Sequence, residues 1–264
     1  MRKTALTLAV SSALLGAALP VAAADLSGNV GFTTDYYFRG QTQTWHKPAV
    51  QGGVDLTNIG PGFYVGTWAS NISGNQFAGG SAEWDIYGGY NGKINDDLSW
   101  TVGLLGYYYP GADWNKTQPA PVANEDYDTV EWNAGLTWKW LSLKYSRTLT
   151  DFFGANTKTG YTSGSKGSNY LDLSANIPLP QDFSLGLHYG RQDVKTSIVG
   201  VPNLDWHDYK FSLTKAFKDN WSVSAAYVKG SNSAVYGNVA SVGANTGNED
   251  IRKGKLLLSV SKTF

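Results

Sequence analysis

From Val130 to Lys139 apolar and polar residues trade places at every step. Val130, Trp132, Ala134, Leu136 and Trp138 alternate with Glu131, Asn133, Gly135, Thr137 and Lys139. Successive side chains of a strand point to opposite faces, so this stretch predicts a strand with one oily and one polar side. The same division recurs in Phe183, Leu185, Leu187 and Tyr189 against Ser184, Gly186, His188 and Gly190. Tyr209, Phe211 and Leu213 stand likewise against Lys210, Ser212 and Thr214. Reading each alternating segment gives about twelve strands, with about 10–14 compatible with the pattern, each near the length that a tilted membrane strand needs. Their boundaries fall at 26–39, 49–58, 62–72, 82–94, 98–109, 127–140, 141–152, 169–178, 182–194, 205–217, 221–231 and 253–264.

The punctuation between these segments comes in two kinds. NIGPG, INDD, PLPQD and FKDN are tight turns rich in Gly, Pro, Asn and Asp, whereas the alternate connections are long. Trp138-Lys139-Trp140-Leu141 is poor turn chemistry, but an unbroken strand there would be too long to cross a bilayer once, so a turn is placed in it. Short turns on one side and long loops on the other predict an all-β, transmembrane antiparallel β-barrel with short periplasmic turns and longer extracellular loops. An even strand count leaves both termini on the periplasmic side.

The first two dozen residues read differently. Arg2 and Lys3, the apolar stretch Ala5 to Leu19 and the small residues Ala22-Ala23-Ala24 predict a signal peptide over 1–24, cleaved after Ala24, with the barrel over 25–264. Export to the bacterial outer membrane follows. No plug-sized segment separates the cleavage site from the first strand, which disfavours a large gated active transporter.

Composition narrows the picture further. The absence of cysteine removes disulfides and thiolate metal sites, and a formal net charge of zero argues against nucleic acid as a partner. Only 16% of residues are charged while 14% are aromatic. A soluble β-sandwich also alternates, but it turns a charge-rich face to water, and this chain instead concentrates aromatic rings near strand ends. The rings predicted at the bilayer interfaces are Tyr36, Phe38, Trp84, Trp100, Trp132, Trp140, Phe183, Phe217, Trp221 and Phe264.

LLLSVSKTF at the C-terminus alternates and ends on Phe264. It resembles the targeting strand of bacterial outer-membrane barrels, which implies the barrel assembly machinery and periplasmic chaperones as partners during biogenesis. Outer-membrane lipid and lipopolysaccharide would then be the surroundings of the folded barrel. The N-terminal third, VGFTTDYYFRGQTQTWHKPAVQGGVDL with GFYVGTWASNI and AEWDIYGGY, resembles the TorF-type putative porin family of proteobacterial outer membranes. That resemblance implies a secreted, porin-type barrel. It brings no catalytic residues, and no cofactor is expected.

On parity the charged lumen-facing candidates are Asp35, Arg39, Asp55, Glu83, Asp85, Glu131, Lys139, Lys144, Asp172, His188 and Lys210. They mix both signs, so pairing across a hydrated lumen is their ordinary role, and a selecting ring at a constriction is the sharper one. Asp35 and Arg39 stand out because they carry the family motif, with Tyr36 and Phe38 assigned to lipid between them. Four residues apart on a strand is roughly 13 Å, so those two charges cannot bridge each other. The expected function is passive diffusion of small hydrophilic solutes through a polar, mixed-charge pore. The alternatives are a closed barrel with a structural or surface-interaction role and, further off, a barrel hydrolase. A hydrolase needs a nucleophile beside a base. Ser184 and His188 are too far apart, His46 shows no partner in its loop, and any cross-strand partner is invisible in the sequence. Asp205, His207 and Asp208, like Asn248-Glu249-Asp250, lack the spacing of a metal loop.

Overall fold

The computed structural model describes residues 24–118, 122–201, 203–243 and 247–264. The predicted signal segment, up to residue 23, lies outside the described residues, as do short stretches of three long connections. Twelve strands close into a barrel: β1 (Asp25–Thr33), β2 (Ala49–Ile59), β3 (Phe63–Asn71), β4 (Ala82–Lys93), β5 (Leu98–Tyr108), β6 (Thr129–Trp138), β7 (Leu141–Thr148), β8 (Asn169–Leu179), β9 (Phe183–Asp193), β10 (Trp206–Ala216), β11 (Trp221–Gly230) and β12 (Lys255–Thr263). Every pair is antiparallel and sequential, and β1 closes on β12 with Asn29 opposite Thr263 and Thr33 opposite Ser259. Closure leaves no unpaired sheet edge, the condition for a strand architecture to cross lipid.

The alternation of the sequence becomes an inside and an outside. Leu26, Val50, Ile86, Leu104, Leu136, Phe211, Leu213, Leu256 and Leu258 form an exposed apolar band around the barrel. Such a surface would be an aggregation liability in water and is the ordinary exterior of a membrane barrel. Trp84 is 52% exposed near the long-loop end, and Phe217, Trp221 and Phe264 are similarly exposed at the short-turn end. Among described residues no helix is long and apolar enough to span a membrane.

Two boundaries depart from the sequence pattern. The β6–β7 connection keeps a two-residue turn at Lys139-Trp140, with Lys139 in the left-handed region at φ 54°. Parity counting holds only while the chain stays in a strand, and β6 ends at Trp138. Lys139 is therefore not a lumen residue. Its Nζ lies 3.4 Å from Asp97 of the neighbouring turn, both of them exposed. The larger departure is at the start. β1 ends at Thr33 rather than running to residue 39, and the segment 34–48 leaves the sheet and folds into the barrel. There it forms a small hairpin of Tyr37–Phe38 with Gln41–Thr42.

The apolar core sits in the loops. The sheet turns its large apolar side chains outward, so apart from a small inner-wall cluster of Ala226, Val228 and Leu257 under Tyr37, packing gathers at the long-loop end. Ile72, Phe77, Tyr107, Tyr109, Ala112 and Tyr127 are buried together there, joined by Tyr36, Phe38, Leu105, Trp114 and Phe153. Phe77 stacks on Tyr109 at 4.6 Å between ring centroids, and Phe38 meets Tyr107 edge-on at 5.5 Å. Such pairs contribute about 0.5–1.5 kcal/mol each beyond area burial.

Candidate functional site: a charged bore crossed by its first loop

The first loop is held at two points. Asp35 is almost completely buried and collects four donors on its carboxylate. Thr42 and Thr44 hydroxyls donate to Oδ1 at 2.6 and 2.8 Å, while Oδ2 lies 2.9 Å from His46 Nδ1 and 2.8 Å from Lys255 Nζ. Burial by itself would raise this carboxyl, but the bonds from His46, Lys255, Thr42 and Thr44 outweigh it and hold Asp35 below the ordinary carboxylate value. His46, which shows no partner in the sequence, is thus a structural clamp, its Nε2 also 3.0 Å from the Asp250 carbonyl.

The second anchor lies across the bore. Arg39 forks onto Glu131 of β6, with Nη1 to Oε1 at 3.0 Å and Nη2 to Oε2 at 2.7 Å, and Nη1 also donates to Gln192 Oε1 at 2.8 Å. Its guanidinium lies 4.3 Å from the Tyr170 ring centroid and 4.7 Å from that of Phe38. Planar fork geometry and aromatic stacking suit arginine and would not suit lysine. The backbone is bent to reach this position: Arg39 has φ 47° and Gly40 φ 78°. A Cβ at Gly40 would collide with the Asp208 side chain, so glycine is required there by both torsion and space. Trp206 Nε1 completes the hold by donating to the Arg39 carbonyl at 2.7 Å.

This arrangement corrects two sequence expectations at once. Tyr36 and Phe38 do not face lipid: Tyr36 donates to Glu83 at 3.1 Å and packs on Trp68, and Phe38 joins the loop core. Asp35 and Arg39 are not on a strand, although they still do not bridge each other. Alternation persists in the letters, but their charges find partners on β6, β9 and β12 that only the closed barrel brings near. The other interface candidates, Trp84, Trp100, Trp132, Trp140, Phe183, Phe217, Trp221 and Phe264, lie on the outward parity or in the turns.

Beneath the loop is a cavity of about 390 Å³ whose wall carries Asp85, Glu131, Lys144, Asp172, His188 and Lys210, with Arg39 overhead. Asp55 lies elsewhere on the same inner surface and accepts from Tyr87 Oη at 2.6 Å. Glu83 is buried near the first loop. Its Oε2, like Asp85 Oδ1, has no hydrogen-bond partner among the described residues. Sequence reasoning missed Tyr170, Gln192, Asp208 and Lys255. All four have inward parity on their strands, so the alternation that found Asp172, His188 and Lys210 could have found them too. Thr42, Thr44 and His46 carry no such signal.

One cluster in this wall has the order of a hydrolytic triad, with Ser174 Oγ 3.0 Å from His188 Nδ1 and His188 Nε2 2.8 Å from Asp208. Its protons are committed elsewhere. Ser174 donates to Asp172, Tyr170 donates to Asp208, and Asp172 also lies 3.4 Å from His188 Nδ1. Each ring nitrogen thus faces a carboxylate as well as a hydroxyl oxygen whose proton points away. The imidazole is shared among Ser174, Asp172, Tyr170 and Asp208 rather than held by one serine and one carboxylate. This is a charge ladder along the wall.

The barrel is similar in fold to several solved porins. At 9% sequence identity it matches the KdgM porin over 90% of this chain and 99% of that one, with a TM-score of 0.51. It matches the NanC porin at 10% identity over 90% and 99%, TM-score 0.51. A third match, at 14% identity over 94% and 97% with TM-score 0.50, is an outer membrane channel from Pseudomonas putida F1. Identities this low speak to fold alone. No curated protein matches the chain. A family described as "Bacterial protein of unknown function (Gcw_chp)" matches residues 17–264, and the chain belongs to that family.

Proposed function

We propose that this protein is a porin of the bacterial outer membrane, of TorF type, exported by the signal peptide over 1–24. It would pass small hydrophilic solutes by diffusion past the Arg39 constriction. The observation that carries this reading is an apolar, aromatic-rimmed exterior wrapped around a bore whose wall holds charges of both signs. Lumen charges at a constriction bias which ions enter, and the proposed constriction is the first loop, held by Asp35 at one end and Arg39 at the other. Lys144 and Lys210 project into the cavity with no ion pair among the described residues, available to a passing anion. The C-terminal strand ending in Phe264 supports recognition by the barrel assembly machinery, with lipopolysaccharide and lipid around the finished barrel.

A second reading has its own support. The doubly anchored first loop would close the bore if it never moved, giving a structural barrel with no permeation. Single-channel recording in planar bilayers separates the two. Wild-type protein should give steady ohmic steps, and Arg39→Ala should raise conductance or change ion preference. Silence from both proteins would favour the closed barrel, and unchanged currents in Arg39→Ala would remove Arg39 from the constriction.

A further inference from the structure

Lipid-facing cations gather on one side of the barrel. Arg147 of β7, Arg191 of β9 and Lys229 of β11 are all exposed, and each stands within two residues of the long-loop end of its strand. Their cross-strand partners include Trp132, Leu171 and Tyr209, and directly opposed residues share a face, so the three cations point outward with those rings and that leucine. At the same level of β1 to β6 and β12 the outward side chains are uncharged, Phe32, Val50, Trp84, Tyr108 and Leu256 among them. We propose that this arc is a binding site for a bisphosphorylated, multiply acylated glycolipid of the lipid A type.

These cations are open to an anion. Arg147 and Lys229 form no ion pair among the described residues, and Arg191 meets Asp193 through Nε at 2.9 Å, which leaves its two Nη groups over. Arg147 Nη2 lies 3.1 Å from where a Cβ on Gly167 would stand, so its guanidinium reaches up toward the long connection rather than down into the apolar band. His207, between Arg191 and Lys229 on β10, is taken by Tyr189, whose Oη lies 2.8 Å from its Nδ1. A charge on the lipid face is strongly destabilising at the middle of a bilayer and costs little near the interface, which is where the strand ends put these three.

Spacing sets the headgroup. Neighbouring strands are about 4.8 Å apart, so Arg147, Arg191 and Lys229, each two strands from the next, stand roughly 10 Å apart at the backbone and splay further on a convex wall. One phosphate cannot meet all three. Two phosphates held apart on a rigid disaccharide can, with a guanidinium fork for each and the ammonium beside the second. A glycerophospholipid carrying a single phosphate would leave part of the arc unmatched. Below the cations, Leu171, Leu173, Tyr209 and Tyr227 form an exposed apolar and aromatic strip on the same strands, a surface for acyl chains directly under their headgroup. The site rests on the outer-membrane reading given above, in which the long loops stand in the leaflet that holds such a glycolipid.

The test is titration of the purified barrel in detergent micelles with bisphosphorylated lipid A, read by native mass spectrometry. Wild type should retain one lipid A molecule through detergent exchange. Arg147→Gln and Arg191→Gln should each weaken binding about tenfold, the loss of one charge-assisted contact, and the triple variant that adds Lys229→Gln should not bind. All three side chains are exposed, so the melting temperature should not fall. Lys47→Gln with Lys116→Gln and Lys253→Gln removes the same charge from exposed positions in other loops and should leave binding intact. Dephosphorylated lipid A and phosphatidylglycerol should each bind about tenfold more weakly or worse. The proposal is overturned by no lipid A binding to wild type, by equal binding to the triple variant, or by an equal loss in the loop control. It is also overturned if phosphatidylglycerol or dephosphorylated lipid A binds as tightly as the bisphosphorylated form. Membrane fractionation of cells tests the outer-membrane location separately, and a protein found elsewhere overturns that reading whatever the titration gives.

Discussion

The long-loop half of the bore is crowded with charge, and the short-turn half along β9 to β12 is lined with hydroxyls. Toward the loops, Asp35, Arg39, Glu83, Asp85, Glu131, Asp172, His188, Asp208 and Lys210 crowd the interior. Toward the turns, β9 to β12 present Ser184, Ser212, Thr214, Ser222, Ser224, Ser259 and Ser261 on the same inward parity. Short hydroxyl side chains hydrate a wall without filling the space it encloses. Long charged ones meet across the lumen and hold something there. The charged half is thus where the first loop is bound, and the two halves should respond very differently to substitution.

The largest effect is expected from Glu131→Ala. It removes both carboxylate oxygens from a guanidinium that is 7% exposed, and breaking one side of a buried pair costs about 3–5 kcal/mol. The loop's remaining contacts there, Gln192 Oε1 and the Tyr170 face, do not neutralise the charge. Release of the loop is cheaper than keeping that charge buried. Hydrogen exchange over residues 36–44 should therefore accelerate by two orders of magnitude or more while the strand amides keep their protection. Unchanged loop exchange would show that Arg39 does not anchor the loop.

Asp35→Asn should act at the other anchor, and more weakly, by about 1–3 kcal/mol, because the amide still accepts from Thr42 and Thr44 while losing its attraction for Lys255. The pH dependence follows from the direction of the Asp35 shift. A carboxyl held below its unfolded value, about 3.9, contributes fully above that pH and loses its contribution as pH falls through the lower folded value. Wild type should thus hold its loop more firmly than Asp35→Asn throughout mildly acidic and neutral conditions. The two should converge only in strong acid, as read by exchange at Thr42 and Thr44. Convergence already near pH 6 would contradict the clamp.

The two halves also differ in how far the sequence discloses them. Alternation gives β2 to β6 and β8 to β12 to within about two residues, because each has one face in lipid and one toward water and a register slip would exchange them. It also separates Phe211 from Lys210 and Leu187 from His188. It fails at Thr34 to Gly40, where the letters still alternate but the chain has left the sheet. Nothing local marks that departure except Gly40, since the partner of Arg39 is Glu131 and that of Asp35 is Lys255, both brought near only by closure. β7 stops at Thr148 rather than 152 for a related reason: Phe152 and Phe153 turn inward to the loop cluster. Period two reports which solvent a strand side chain meets, and says nothing once loops supply the solvent.

The smallest effect should come from the hydroxyl half, and it is the sharper control for that reason. Ser224 Oγ accepts from Thr214 Oγ1 at 3.1 Å, and neither group is fully buried. In Ser224→Ala the threonine can turn its hydroxyl to lumen water, so stability should stay within about 0.5 kcal/mol of wild type. No loop contact passes through this position, so exchange over residues 36–44 should be unchanged. If the narrow point of the bore is the charged half, single-channel conductance should be unchanged as well. A conductance change in Ser224→Ala comparable to that of Arg39→Ala would move the constriction to the short-turn end and dissolve the distinction between the two halves.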